Sequence, residues 1–204
     1  MRPDVYHPRM QRTESDREAS LSIALKEWSV LCDALLAGEQ FVLLRKGGIH
    51  EEMGEFRLEH DRFLLFPTHL HQNPTMLKRA WAARVRHASA EPDRIVLRGW
   101  AQVSDVLQVR SRAQIDRIED LHIWDRPLID MRFAYKPNKP LYLLLVRAYR
   151  LDKPVTIENV PIYAGCVSWV PLEQAVSMAG SAPAIADALW KERRAAILDR
   201  LSAP

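Results

Sequence analysis

Leu141-Tyr142-Leu143-Leu144-Leu145-Val146, bounded by Pro140, is the run on which the fold turns. Six consecutive apolar residues with no polar face predict a strand buried on both sides, at the centre of a sheet. Segments near Val155–Ile157 and Val167–Val170 are its expected neighbours. Arg94 to Val109 reads as a second, longer strand, marked by Ile95, Leu97 and Val103, with Gly99 at a bulge or bend. Phe41 to Arg45 reads as a strand, and Glu55 to Phe66 as a hairpin broken near Asp61.

Helices are expected to cover this sheet. Ser15 and Glu18 form a capping-box pattern ahead of Leu21, Leu25, Trp28, Leu31, Leu35 and Leu36, which recur at helical spacing, and Gly38 supplies the stop. Asn73-Pro74 predicts a helix through about Val85, with Trp81 and Val85 on one face. Further helices are predicted from Ser111 to about Glu119, from near Asp125-Arg126-Pro127, and a short one from Pro171-Leu172-Glu173-Gln174. A last one opens at Ser181 and Pro183, with Ile185, Leu189, Ile197 and Leu201 as its packing stripe. The fold class is α+β, with a mostly antiparallel or partly closed β-sheet under helices. Residues 1–14 are expected to be a loosely ordered arm and 15–204 a single domain.

Composition narrows the class. The chain has 204 residues, 48% hydrophobic and 27% charged, within the range of ordinary globular proteins. No apolar run approaches the ~20 residues of a membrane span, and no secretory signal is visible at the N-terminus. Cys32 and Cys166 are far apart without metal spacing, so reduced thiols in a cytoplasm are expected, Cys32 in a helix-packed core and Cys166 against a sheet. No membrane partner, metal or cofactor is expected. The net charge of +3 permits an acidic partner such as DNA or RNA without requiring one.

Two polar strand ends are the candidate site. Arg45-Lys46-Gly47-Gly48 follows Phe41-Val42-Leu43-Leu44, and Pro67-Thr68-His69-Leu70-His71-Gln72 follows Phe63-Leu64-Leu65-Phe66. Successive glycine amides can form an anion nest, to which Arg45 and Lys46 would lend charge for phosphate; the plainer reading is a solvated hairpin turn. The stretch is no Walker loop, because the Gly-Lys-Ser/Thr ending is missing. Thr68, His71 and Gln72 would supply directional hydrogen bonds, with His71 able to act as acid or base; in the plainer reading Thr68 and His71 cap the loop or the helix start. The spatial expectation is that Lys46 and His71 meet in one wet hollow.

Other constellations carry less. Glu51, Glu52, Glu55, Glu59 and Asp61 form an acidic face, read as solvated or arginine-paired because no Glu-x-Lys follows an aspartate at nuclease spacing. Trp124, in His122-Ile123-Trp124, is read as a core plug, with base stacking as the functional option. Arg132 is a possible anion clamp. Arg147, beside the central strand, must find an acid or open onto a cavity, and is counted among the ligand contacts. Cys166 has no identifiable base, so a thiol nucleophile is not expected.

With these residues in view, the chain resembles the bacterial domain-of-unknown-function family eighteen-oh-two over about Ala24 to Leu172. The resemblance rests on Leu25-Lys26-Glu27-Trp28, Arg45-Lys46-Gly47-Gly48-Ile49, Phe63-Leu64-Leu65-Phe66-Pro67-Thr68 with His71-Gln72, His122-Ile123-Trp124, and Arg147 with Gly165-Cys166-Val167-Ser168-Trp169. Some members are reported fused to restriction-type endonuclease domains, which implies a link to restriction-modification or DNA processing. A fainter likeness is to PUA-like barrels, ASCH domains included, since Trp28, Gly38-Glu39 and Leu44-Arg45 follow their order. The leading expectation is therefore a nucleic-acid-associated accessory or recognition protein. The alternative is an enzyme acting on a small phosphorylated or nucleotide substrate with His71 as acid or base.

Overall fold

The structure, a computed structural model, describes residues 5–6, 20–46, 49–52, 55–165 and 168–202, with side chains for 20–46, 58–165 and 168–202. Its strands are β1 (Val5–Tyr6), β2 (Ser20–Trp28), β3 (Val42–Arg45), β4 (Ile49–Glu52), β5 (Glu55–Leu58), β6 (Arg62–Thr68), β7 (Arg94–Val109), β8 (Leu141–Glu158), β9 (Trp169–Ser177) and β10 (Ala182–Pro183). Its helices are α1 (Ser29–Ala37), α2 (Arg79–Ala82), α3 (Arg112–Asp116), α4 (Arg126–Ala134) and α5 (Asp187–Ser202).

The apolar run is the buried start of β8, and the strand continues for 18 residues. Both of its faces are covered, which is why Leu141 to Val146 shows no alternation. Along one edge β8 pairs antiparallel with β7 from Val109↔Leu141 to Arg94↔Glu158. Along the other it pairs with β3 and, further on, β10. The main sheet runs β10-β8-β7-β6-β2-β9, with β1 added to β7 and β3 to β8; β4 and β5 form a separate hairpin. Pairing is antiparallel throughout this sheet except between β2 and β6, where Trp28 lies beside Thr68. The architecture is a single α+β domain with a mixed, open sheet; the α+β class and the mostly antiparallel pairing are as the sequence predicts, and the sheet is not closed.

Several expected elements are replaced. Residues 20–28 are strand, and α1 begins only at Ser29. Leu21, Ile23 and Leu25 alternate with Ser20, Ser22 and Ala24, a period of two that serves pairing on both edges and overrides the coincident helical spacing. Ser15 and Glu18 lie outside the described residues. Gly38 does stop α1, at φ 72°. Pro171-Leu172-Glu173-Gln174 is not a helix start but part of β9, an edge strand of the main sheet, where a proline is tolerated. Val155–Ile157 does not pair with the apolar run, since it belongs to the same strand and pairs with β7. Trp169 and Val170 pair with β2. Asn73 caps a short 3-10 turn over Pro74–Met76, and α2 starts afresh at Arg79, so no single helix runs to Val85. The hairpin expected over Glu55 to Phe66 is also re-paired: β5 binds β4, whereas β6 binds β2 and β7. In α5 the stripe is Trp190, Ile197 and Leu201, while Leu189 is exposed. Of the arm, Val5 and Tyr6 pair with Leu107 and Val106 of β7.

The register between β7 and β8 shifts at two places, between Leu97 and Gly99 and between Val103 and Asp105. Gly99 is required at the first. A Cβ there would stand 2.3 Å from the Tyr149 carbonyl oxygen and 2.4 Å from a Leu36 methyl. Backbone cannot yield as a flexible side chain does, so Gly99→Ala is expected to cost about 2 kcal/mol. A shift in the urea midpoint at constant slope measures it, and an unchanged midpoint counts against this packing.

Candidate anion-binding site

The parallel pair β2–β6 sets the site. It brings the ends of both strands to the same edge, so the residues after Thr68 lie against the start of α1. Gln72 is buried there. Its Oε1 accepts from the Val30 backbone N–H at 3.1 Å and from the Ser29 hydroxyl at 3.2 Å, and its Nε2 donates to the His69 carbonyl at 3.3 Å. Trp28 at the N-cap offers α1 no side-chain hydrogen bond, and Gln72 supplies that cap from across the fold. His71 is exposed, at φ 64°. The backbone N–H groups of His69 and Leu70 donate to the Glu91 carboxylate at 2.8–3.0 Å. Gln72 thus faces inward as a cap while His71 faces solvent.

Glu27, one residue before the end of β2, is the focus of the charged groups. Arg45 at the end of β3 pairs with its carboxylate, and both side chains are nearly buried, 12% and 11% exposed. A second Arg45 nitrogen donates to the Ser168 hydroxyl at 3.4 Å. Thr68 donates its hydroxyl to the Glu27 backbone carbonyl at 3.1 Å. Lys26 donates to the carbonyls of Tyr163 and, at 3.2 Å, Gly165, holding the segment that leads into β9.

Arg132 of α4 completes the cluster. Burial pushes its guanidinium below the ordinary value, Glu27 partly restores it, Arg45 pushes it down further, and the Tyr135 phenol favours its charge. Two guanidinium groups therefore share the field of one carboxylate. The Nε atoms of both Arg45 and Arg132 are buried and make no hydrogen bond among the described residues. Lys46 is used differently: its ammonium donates to the carbonyls of Phe133 at 3.0 Å and Lys136 at 3.3 Å, satisfying orphan acceptors at the C-terminal end of α4. Gly47 and Gly48, and with them the expected amide nest, lie outside the described residues. So do Cys166 and the side chains of Glu51, Glu52 and Glu55.

Arg147 is placed elsewhere. It lies five residues along β8 from Tyr142, the register partner of Arg45, which is about 17 Å of strand. It pairs with Asp187 at the start of α5 and packs over the Tyr149 ring at 5.3 Å. The acid it needed is therefore supplied by α5. Trp124 is buried, as a core plug is expected to be. Among the described residues no group of three His, Cys, Asp or Glu is placed to hold a metal. Cys32 is buried on the core face of α1, and burial, with Glu27 and Asp33, raises its thiol well above its ordinary value. No described helix is long and apolar enough to cross a membrane.

Arg45, Lys46, Thr68 and Gln72 stand out in the sequence at strand ends, whereas Glu27 and Ser168 carry no such signal and Arg132 stands there as an isolated clamp. Glu27 and Ser168 stand inside stretches that carry the family resemblance, 25–28 and 165–169. These meet the 45–46 and 63–68 stretches at this one edge of the sheet.

No curated protein matches the chain. Two crystal structures of ZmASCH mutant proteins from Zymomonas mobilis are similar to it. One shares 11% identity, covers 74% of this chain and 88% of that chain, and has a TM-score of 0.43. The other shares 12% identity, covers 74% and 90%, and also has a TM-score of 0.43. Residues 24–196, which take in β2 through most of α5 and every residue of the Glu27 cluster, match one family throughout, and the chain belongs to it: Domain of unknown function (DUF1802).

Proposed function

We propose that the Glu27–Arg45–Arg132 cluster recognises an anion, and that the protein is a nucleic-acid-associated recognition or accessory protein with backbone phosphate as that anion. The observation that supports this is the charge imbalance: two largely buried guanidinium groups, each with an unsatisfied Nε, answered among the described residues by the carboxylate of Glu27. A charge withdrawn from water is costly unless it is paired and hydrogen-bonded. Phosphate offers oxygens in the geometry that guanidinium favours. Thr68 and Ser168 hold the cluster in place, and Lys46 fixes the end of α4 that presents Arg132. The link to restriction-modification or DNA processing belongs to the same proposal, and a preference for DNA over RNA is the result that favours it.

The test is a mobility-shift series on single- and double-stranded DNA and RNA between 50 and 200 mM salt. Binding is expected to weaken steeply with salt. Arg132→Gln is expected to lose about tenfold to a hundredfold in affinity and to lower the salt slope by about one, while Arg147→Gln leaves both unchanged. Arg132 is the residue of choice because Arg45→Ala also strands Glu27. Absence of binding to all four polymers at 50 mM salt refutes the reading.

A further inference from the structure

Beyond Arg132 the chain continues Phe133-Ala134-Tyr135-Lys136-Pro137-Asn138-Lys139, in which basic and aromatic residues interleave without an acid. Asp130, the nearest acid before it, is held in an ion pair with Arg112 at 2.7 Å. Tyr135 is a large aromatic left 50% exposed at the end of α4, and Met131, one turn earlier on the same face, is also exposed. Lys136 places its ammonium 5.0 Å from the Tyr135 ring centroid, and Lys136 and Lys139 are both exposed. The segment is not loose. Lys46 clamps its carbonyls at Phe133 and Lys136, the Tyr135 N–H donates to the Met131 carbonyl at 2.9 Å, and the Lys139 N–H donates to that of Lys136. The backbone that carries this exposed ring is thus anchored at the surface by the same lysine that holds the end of α4 next to Arg132.

We infer that Tyr135 is a stacking platform for an unpaired nucleobase, so that the ligand is single-stranded nucleic acid with its phosphate on Arg45 and Arg132. This rests on the phosphate reading and adds the base to it. A base inside a duplex has both faces covered by its neighbours and cannot reach the ring, whereas a single strand offers a π-face to any aromatic that a basic groove holds ready. Lys136 and Lys139 extend the positive track along which the strand lies.

Fluorescence anisotropy compares three probes of equal phosphate number: an intact single strand, the same strand with abasic spacers in place of its bases, and a duplex. The wild-type protein is expected to prefer the intact single strand over both others by about tenfold, in line with stacking on one residue. Tyr135→Ala removes that preference and leaves affinity for the abasic strand unchanged, while Tyr135→Trp keeps it; thermal melts confirm that both variants fold. Equal wild-type affinity for intact and abasic strands, or for duplex, overturns the inference, as does a preference that survives in Tyr135→Ala. If Arg132→Gln abolishes binding while Tyr135→Ala changes nothing, the phosphate site stands and the stacking platform falls. If no probe binds, both fall.

Discussion

Arg194→Ala is expected to lower folding stability by about 3–5 kcal/mol. Asp105 is fully buried at the second register shift of β7. Arg194 of α5 meets it in a fork, Nε to one carboxylate oxygen at 2.7 Å and Nη2 to the other at 2.5 Å, while the Ser104 hydroxyl donates to it at 2.8 Å. The register shift skips Ser104 and keeps Asp105 opposite Leu145, with its side chain on Arg194 of α5, so this pair fixes where α5 docks. Removing the arginine leaves a carboxylate in a place that water does not reach. Asp105→Ala is expected to cost less, because the Arg194 side chain is 33% exposed and can rehydrate. The double variant then costs less than the sum of the two, and a double-mutant cycle by urea unfolding reads the coupling. Against a usual domain stability of about 5–15 kcal/mol, Arg194→Ala alone approaches the unfolding threshold. A loss below about 1 kcal/mol for Arg194→Ala would show the pair to be incidental.

How much of this was visible in the sequence depends on whether a signal was local. The run Leu141–Val146, the strand Arg94–Val109 with its bulge at Gly99, the start of α4 at Arg126 and the stop of α1 at Gly38 are all written in adjacent residues, and the structure has them there. Residues 20–28 are ambiguous in the sequence because Leu21, Leu25 and Trp28 satisfy a helical period while Leu21, Ile23 and Leu25 satisfy a strand period. What decides between them is the pair of strands, β6 and β9, that come later in the chain. The same non-local decision made β9 out of Pro171–Gln174.

The site follows the same division. Arg45, Lys46 and Thr68 stand at strand ends and are conspicuous as such, but what each one touches is set by pairing across the sheet. Glu27 looks like one acid among many until the β2–β6 register places it beside Thr68 and the end of β3 brings Arg45 onto it. Lys46 looked like a phosphate ligand and Gln72 a ligand contact; each serves a helix terminus. The energetic reason is that an unsatisfied helix end inside the fold costs more than a solvated surface charge gains, so nearby donors and acceptors are drawn to it first. Arg132 and Arg45, by contrast, remain with unused donors after those demands are met, and that residue of unmet hydrogen bonding is what gives the site its direction toward an anion.

His122 carries the second large prediction, an acid sensitivity of about 3 kcal/mol located at one side chain. It is buried, its ring lies 5.4 Å from that of Trp124, and neither ring nitrogen makes a hydrogen bond of good geometry among the described residues. Burial first, and then the positive charge of Lys78, lower its pKa from 6.5 to about 4, while Glu119 and the backbone of Ile115 and Trp124 pull back only partly. Lys78 is held there by the carbonyls of Glu119 and His122, so its charge cannot swing away. The unfolded chain takes up the proton near pH 6.5, whereas the folded chain resists it to about 4. Stability from this group is thus complete above pH 6.5 and drains away as the pH falls toward 4, by about 1.4 kcal/mol for each unit between the two values. His122→Phe keeps a ring in the space and removes the titration. Wild type and variant are expected to have similar stability at pH 7.5 or to differ slightly in the variant's favour, since an unpaired polar ring is replaced by an apolar one. At pH 4 the variant should be the more stable by about 3 kcal/mol. Urea unfolding of both proteins from pH 4 to 7.5 tests this, because carboxylates common to the two, Asp120 with its Arg200 partner included, cancel in the difference. Parallel curves across that range would mean that His122 is hydrated or paired in solution and that the loop from Glu119 to Trp124 does not hold it dry.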